Sequence, residues 1–149
     1  MEIQLGDIGH IIQLAIAPVF LLTGVGGNLL VLTNRLARII DRSRVLEDRI
    51  DAAADSKLQE YLAEIEILYR RARLINSAIT LSTSCALLIC VVIAALFIGG
   101  ALGFALTIFI AMLFVVAMLA LIGSFVCLLR EIFIATGTLT IRRASSIKR

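Results

Sequence analysis

The stretch LLTGVGGNLLVLTNRLARIIDRSR, Leu21–Arg44, begins as lipid-soluble helix, takes in three glycines and an asparagine, and becomes arginine-rich with no proline or turn dipeptide to interrupt it. One continuous helix passing from apolar to charged sequence is what a chain does on leaving a bilayer. The rest of the chain agrees. Hydrophobic residues make up 60% of the 149 and the mean hydropathy is +1.03, beyond the roughly 45–50% apolar content of soluble domains. Charged residues are missing from two stretches, Ile8–Asn34 and Leu74–Leu129. A membrane span needs about 20 apolar residues, so the first stretch holds one span and the second holds two.

Gly99, Gly100 and Gly103 are the turn-like point within the second stretch and predict a tight helical hairpin there. The expected spans are residues 8–34, 74–98 and 104–129. The opening MEIQLGD carries Glu2 and Asp7 but no basic residue, so the first span is expected to be retained rather than cleaved as a signal peptide. Basic residues are absent before the first span and between the second and third. Nine fall between Arg35 and Arg73, and five from Arg130 onward. The positive-inside rule then places the N-terminus outside and both basic segments in the cytoplasm, which three spans satisfy without conflict.

Between spans one and two the pattern stays helical. Leu36, Ile39, Ser43, Leu46 and Ile50 recur at intervals of three and four, as do Leu58, Leu62, Ile65, Tyr69 and Ala72, a heptad-like stripe of the coiled-coil kind. DAAADSK, Asp51–Lys57, separates them, with Asp55 or Ser56 as the cap of the second helix. The fold class expected is therefore all-α integral membrane. It is one domain of three transmembrane helices, with a cytoplasmic antiparallel helical hairpin over residues 35–73 and a basic cytoplasmic tail over 130–149. Arg44 with Asp48 and Glu66 with Arg70 have i, i+4 spacing, suited to surface ion pairs. The hairpin carries eight acidic residues against its nine basic ones, so it lacks the excess charge that binding nucleic acid needs.

With residues 8–50 as one helix at about 100° per residue, His10, Gln13, Gly24, Asn28, Arg35, Arg38, Arg42 and Arg49 fall within an arc of about 80°, with Thr23, Gly27 and Asn34 beside it. Polar groups facing lipid are costly, so this face is expected to turn toward protein or water. Two readings follow. In one, Gly24, Gly26 and Gly27 let another helix approach while Asn28 and Gln13 hydrogen-bond across the contact, each for about 1 kcal/mol or less. In the other, several subunits set the stripe around a central axis, with Asn28 or Gln13 as constrictions and arginine rings at the cytoplasmic mouth. Span two adds a second polar patch, with Asn76, Thr80 and Thr83. Span three, poor in polar residues, is expected to be the most lipid-facing.

Catalysis is disfavoured. GxSxG, HExxH and P-loop patterns are absent, and His10 is the single histidine. No Asp or Glu falls within the three expected spans, where proton relays usually sit. Cys85, Cys90 and Cys127 lie in spans without metal-ligand spacing and read as small hydrophobes. No cofactor or metal is expected.

QLAIAPVFLLTGVGGNLLVLTNRLARIIDRSRVLE, Gln13–Glu47, resembles the signature of DUF2721, a bacterial family of small membrane proteins described as a domain of unknown function. The shared pattern is an apolar span with Pro18, then Leu32-Thr33-Asn34-Arg35-Leu36-Ala37-Arg38, followed by Asp41-Arg42. The likeness covers nearly the whole chain, including the three-span layout. It implies a bacterial inner membrane and supplies no activity, catalytic residue or cofactor. The function expected is an oligomeric pore or ion-conducting protein lined by the stripe of the first helix, its partners being lipid, further copies of the chain and ions. The alternative is a non-conducting membrane scaffold whose hairpin binds a protein.

Overall fold

Three long helices form the protein in the computed structural model: α1 (Leu5–Asp51), α2 (Asp55–Leu102) and α3 (Thr107–Ser146). The structure describes the backbone of residues 5–51, 55–102 and 107–146, and the side-chain surroundings of 9–50, 58–59, 61–100 and 107–136. Ala52–Ala54, Gly103 and the side chains of the basic tail, on which some of the expectations fall, lie outside those described residues. The candidate spans Gly9–Ile50, Tyr61–Gly100 and Thr107–Thr136 are long and apolar enough to cross a membrane.

The helices contribute to two compact units, Met1–Leu30 with Thr80–Gly123 and Val31–Ile79 with Ser124–Arg149. In the first unit, Val25 of α1, Cys85 and Ile89 of α2, and Ala117 and Leu121 of α3 form a buried cluster. The small residues let the backbones approach, as in membrane helix packing. In the second unit, Leu32, Ile39 and Leu46 of α1 pack on Leu68, Ile75 and Ala78 of α2, with Cys127 and Leu128 of α3 alongside. There the Ser124 hydroxyl donates to the Ala78 carbonyl at 2.9 Å. Within the second unit Arg42 of α1 meets Glu64 of α2.

From Val25 onward the buried positions of α1 recur every seven residues: Val25, Leu32, Ile39 and Leu46. That spacing keeps one seam of a helix against its neighbours over several turns. Pro18 is also buried and α1 runs on through it. Outside the seam the surface is apolar to a degree that water does not tolerate. Phe20 and Phe133 are each 73% exposed and Ile108 is 81% exposed, and such residues extend along all three helices.

Helix α2 runs through Gly99 and Gly100 to Leu102 and α3 begins at Thr107, so the break between them adjoins the expected glycine turn, whose Gly103 lies outside the described residues. A Cβ on Gly100 would meet the end of the Ile11 side chain of α1, which would have to shift. Helix α3 continues beyond the expected span, which ends at residue 129, to Ser146, with Ile132, Phe133 and Ile134 carrying on the apolar pattern and Gly137 taken into the helix. Helix α3 shares the lowest burial, 17% of its most apolar stretch, with α1, against 22% in α2. The second stripe is displaced. Leu62 and Tyr69 are exposed, and Leu68 with Ile75 takes the seam, flanked by Ile65 and Ala72. The spacing admits both lines, and packing against two neighbouring helices selects one.

Leu46 is 1% exposed and its neighbour Val45 is 44% exposed. Leu46→Ala is expected to destabilise the second unit by about 3 kcal/mol through loss of packing and a residual cavity. Val45→Ala is expected to cost under about 1 kcal/mol. Chemical unfolding of the two variants in detergent checks the difference.

Candidate functional site

Polar residues of α1 alternate with its buried apolar line. Asn28, Arg35 and Arg42 are also seven apart, set three residues after Val25, Leu32 and Ile39. They occupy the second position of the heptad seam, where a polar side chain has to find a specific partner across the helix contact. Each does. The Asn28 amide donates to the Ser82 hydroxyl at 2.8 Å, and Ser82 is wholly buried. Arg42 donates from Nε and Nη2 to Oε1 of Glu64, at 3.2 and 2.8 Å.

Arg35 meets the residue that dominates the second unit. Glu131 of α3 is 0% exposed. Its Oε2 accepts from Arg35 Nη1 at 2.6 Å, while Oε1 accepts from Arg71 Nε at 3.0 Å and Nη2 at 2.7 Å. One carboxylate thus binds an arginine from each of the other two helices. An isolated buried carboxylate is strongly unfavourable; several charge-assisted hydrogen bonds from two guanidiniums offset that cost. Arg35 and Arg71 keep partial solvent access, with side chains 35% and 23% exposed, so the desolvation falls mainly on Glu131. The pair Arg42–Glu64 is more open, 41% and 24% exposed, and belongs with surface ion pairs of about 0.2–1 kcal/mol.

Around these pairs lies a half-open pocket of about 360 Å³ lined by Arg35, Arg38, Ile39, Arg42, Leu68 and Arg71. Arg38 is exposed and has no carboxylate partner in any ion pair among the described residues. The spacing-based pairs Arg44–Asp48 and Glu66–Arg70 are likewise not among the ion pairs of the described residues. The carboxylates that pair sit across helix contacts, where burial strengthens the attraction.

The rest of the predicted stripe lies apart from this site. His10, Gln13, Gly24, Gly27 and Asn34 are exposed on α1, and a Cβ built on Gly24, Gly26 or Gly27 would meet nothing within 4 Å. On α2, Asn76, Thr80 and Thr83 are exposed, while the neighbouring Ser82 takes the buried position. No group of three or more His, Cys, Asp or Glu suited to a metal ion occurs among the described residues. Sequence reading missed Glu131, Glu64, Arg71 and Ser82 as partners. A signal for Glu131 was present: it is the single acidic residue after Glu66, set between Arg130 and the apolar run Ile132-Phe133-Ile134. It lies two residues beyond the third expected span, within the longer apolar stretch Thr107–Thr136 of α3.

A protein-family model described as "Protein of unknown function (DUF2721)" matches residues 15–141. No curated protein and no solved structure matches the chain.

Removing the carboxylate leaves two inward-facing guanidiniums together. Glu131→Ala is expected to lower stability by about 3 kcal/mol, whereas Arg130→Ala, at an exposed neighbour, is expected to stay within about 0.5 kcal/mol. A double-mutant cycle of Glu131→Ala with Arg71→Ala, read by unfolding in detergent, is expected to show coupling above about 1 kcal/mol.

Proposed function

The chain belongs to the DUF2721 family of proteins of unknown function, and on that footing we propose that it is a non-conducting, multi-pass membrane scaffold whose paired helical segments bind a protein partner. The exposed apolar residues along all three helices support insertion in a bilayer, where lipid covers them. The basic residues, confined to 35–73 and to the chain from Arg130, support an N-terminus outside and a cytoplasmic hairpin and C-terminus. A bacterial inner membrane is the location that the sequence resemblance implies. No catalytic step belongs to this reading.

The observation that carries the proposal is the closure of the polar seam within a single chain. Asn28 is bonded to Ser82, Arg35 to Glu131 and Arg42 to Glu64. Side chains held in this way are directed into helix contacts and are not left to line an axis between subunits. The face that remains for a partner is mixed in charge, with Arg38, Asp41, Arg44, Glu47, Asp48 and Arg49 exposed on α1. Mixed charge suits a protein surface of complementary pattern and gives register and selectivity more than bulk attraction.

A second reading retains the oligomeric pore. It rests on the open face at Gly24, Gly26 and Gly27, beside which Gln13 and Asn34 are exposed. A second copy could pack there with its backbone close, and a ring of copies would bring Gln13 and Asn34 toward a common axis.

Ion flux into proteoliposomes separates the two. The scaffold predicts potassium and chloride flux equal to that of protein-free liposomes, for the wild type and for Asn28→Leu alike. Flux above that background, changed by Asn28→Leu or Gln13→Leu, would overturn the scaffold in favour of the pore. Light scattering of Gly24→Leu adds a readout: loss of an oligomer present in the wild type would place the glycine face in the subunit contact.

A further inference from the structure

We propose that the arginine pocket between α1 and α2 is a binding site for a phosphate group, either on a lipid headgroup or on a soluble phosphate. The site goes beyond the scaffold reading and stands whether or not the protein conducts.

Charge comes first. Four guanidiniums line the pocket, those of Arg35, Arg38, Arg42 and Arg71. Two carboxylates bind them, Glu131 and Glu64, so two positive charges at the pocket are left unmatched by these ion pairs. A cluster that served only to join helices would be close to neutral, because each unmatched charge raises the cost of bringing the others together. Arg38 makes the excess concrete: it faces the pocket without taking part in any ion pair of the described residues.

Orientation comes second. Glu131 holds Arg35 and Arg71 by opposite oxygens, and Glu64 holds Arg42 through Nε and Nη2. These bonds fix the guanidinium planes yet leave N–H donors on all four arginines. At Arg35, Arg42 and Arg71 a ligand therefore meets donors whose rotamers are already restricted, which lowers the ordering cost of binding.

Shape and chemistry select the anion. At about 360 Å³ the pocket lies in the range of small-molecule sites, roughly 300–1,000 Å³, and far exceeds what a halide fills. Several planar forks converging from two helices suit a tetrahedral group with several acceptor oxygens and more than one negative charge, which is the geometry of phosphate. The pocket also has two apolar lining residues, Ile39 and Leu68, against which the carbon skeleton of a phosphate ester can rest. A nucleic acid does not fit, since the surrounding segment, residues 35–73, holds nine basic against eight acidic residues and lacks the extended excess of charge that a phosphate backbone needs.

The test uses the full-length protein in nanodiscs of phosphatidylcholine. Binding of labelled inorganic phosphate is measured at constant ionic strength, and binding of phosphatidic acid is measured by adding it to the discs and following the unfolding midpoint. Saturable binding of either probe is expected, and Arg38→Gln is expected to weaken it about tenfold or more. Arg38→Lys, which keeps the charge but loses the fork, is expected to fall between. Arg44→Gln, exposed and outside the pocket, is expected to leave binding unchanged. Arg38 is in none of the ion pairs that join the helices, so the unfolding midpoint without probe is expected to be retained, and the lysine variant supplies the comparison should the glutamine variant fail to fold. Phosphate binding that phosphatidic acid competes away identifies a site open to soluble phosphates, and a response to phosphatidic acid alone identifies the lipid headgroup; both support the proposal. Absence of saturable binding to both probes, equal loss in Arg38→Gln and Arg44→Gln, or displacement by chloride as effective as by phosphate would overturn it.

Discussion

A carboxylate with no solvent access cannot remain charged among apolar helices without cations against it, and Glu131 is such a group. Arg35 reaches it from α1 and Arg71 from α2. Satisfying that one residue requires three helices to be at a particular height and rotation relative to one another within their unit. Sliding any of them by a turn would leave a buried charge unpaired. Apolar packing alone imposes no such condition, because Leu, Ile and Ala contacts tolerate a shift of one repeat far better than a charge does.

The same logic applies along the seam of α1 at lower stakes. Asn28 with Ser82 and Arg42 with Glu64 are individually weak, yet each penalises a wrong alignment of its own helix pair. For helices apolar enough to cross a membrane, lipid competes on nearly equal terms with helix–helix contact. Polar pairs and small residues then supply the specificity. Ala78, Ala117 and Ser124 are fully buried and admit the close backbone approach over which Ser124 bonds to the Ala78 carbonyl.

An ion-paired cluster that also lines a pocket has two consequences of one arrangement. The carboxylates that hold the helices together also aim the guanidiniums, so binding an anion and maintaining the fold draw on the same side chains. Arg38 alone among the lining arginines takes part in none of these ion pairs, which separates the two roles at the level of a single residue. The exposed glycine face of α1 is a different kind of feature: it is space left open.

The sequence by itself determined the three helices, the apolar lengths suited to spanning, the segregation of basic residues and the polar stripe of α1, because these depend on composition and on the 3.6-residue period of one helix. It also showed that Asn28, Arg35 and Arg42 share a face. What only the tertiary structure decided is where that face points and what it meets. Arg35 and Glu131 are 96 residues apart, and Arg71 and Glu131 are 60 apart. Periodicity within one helix carries no information on the rotation or height of its neighbour. Glu131 stayed unread for a related reason: a lone glutamate shows its role only when neighbouring helices bring a pair of arginines to it.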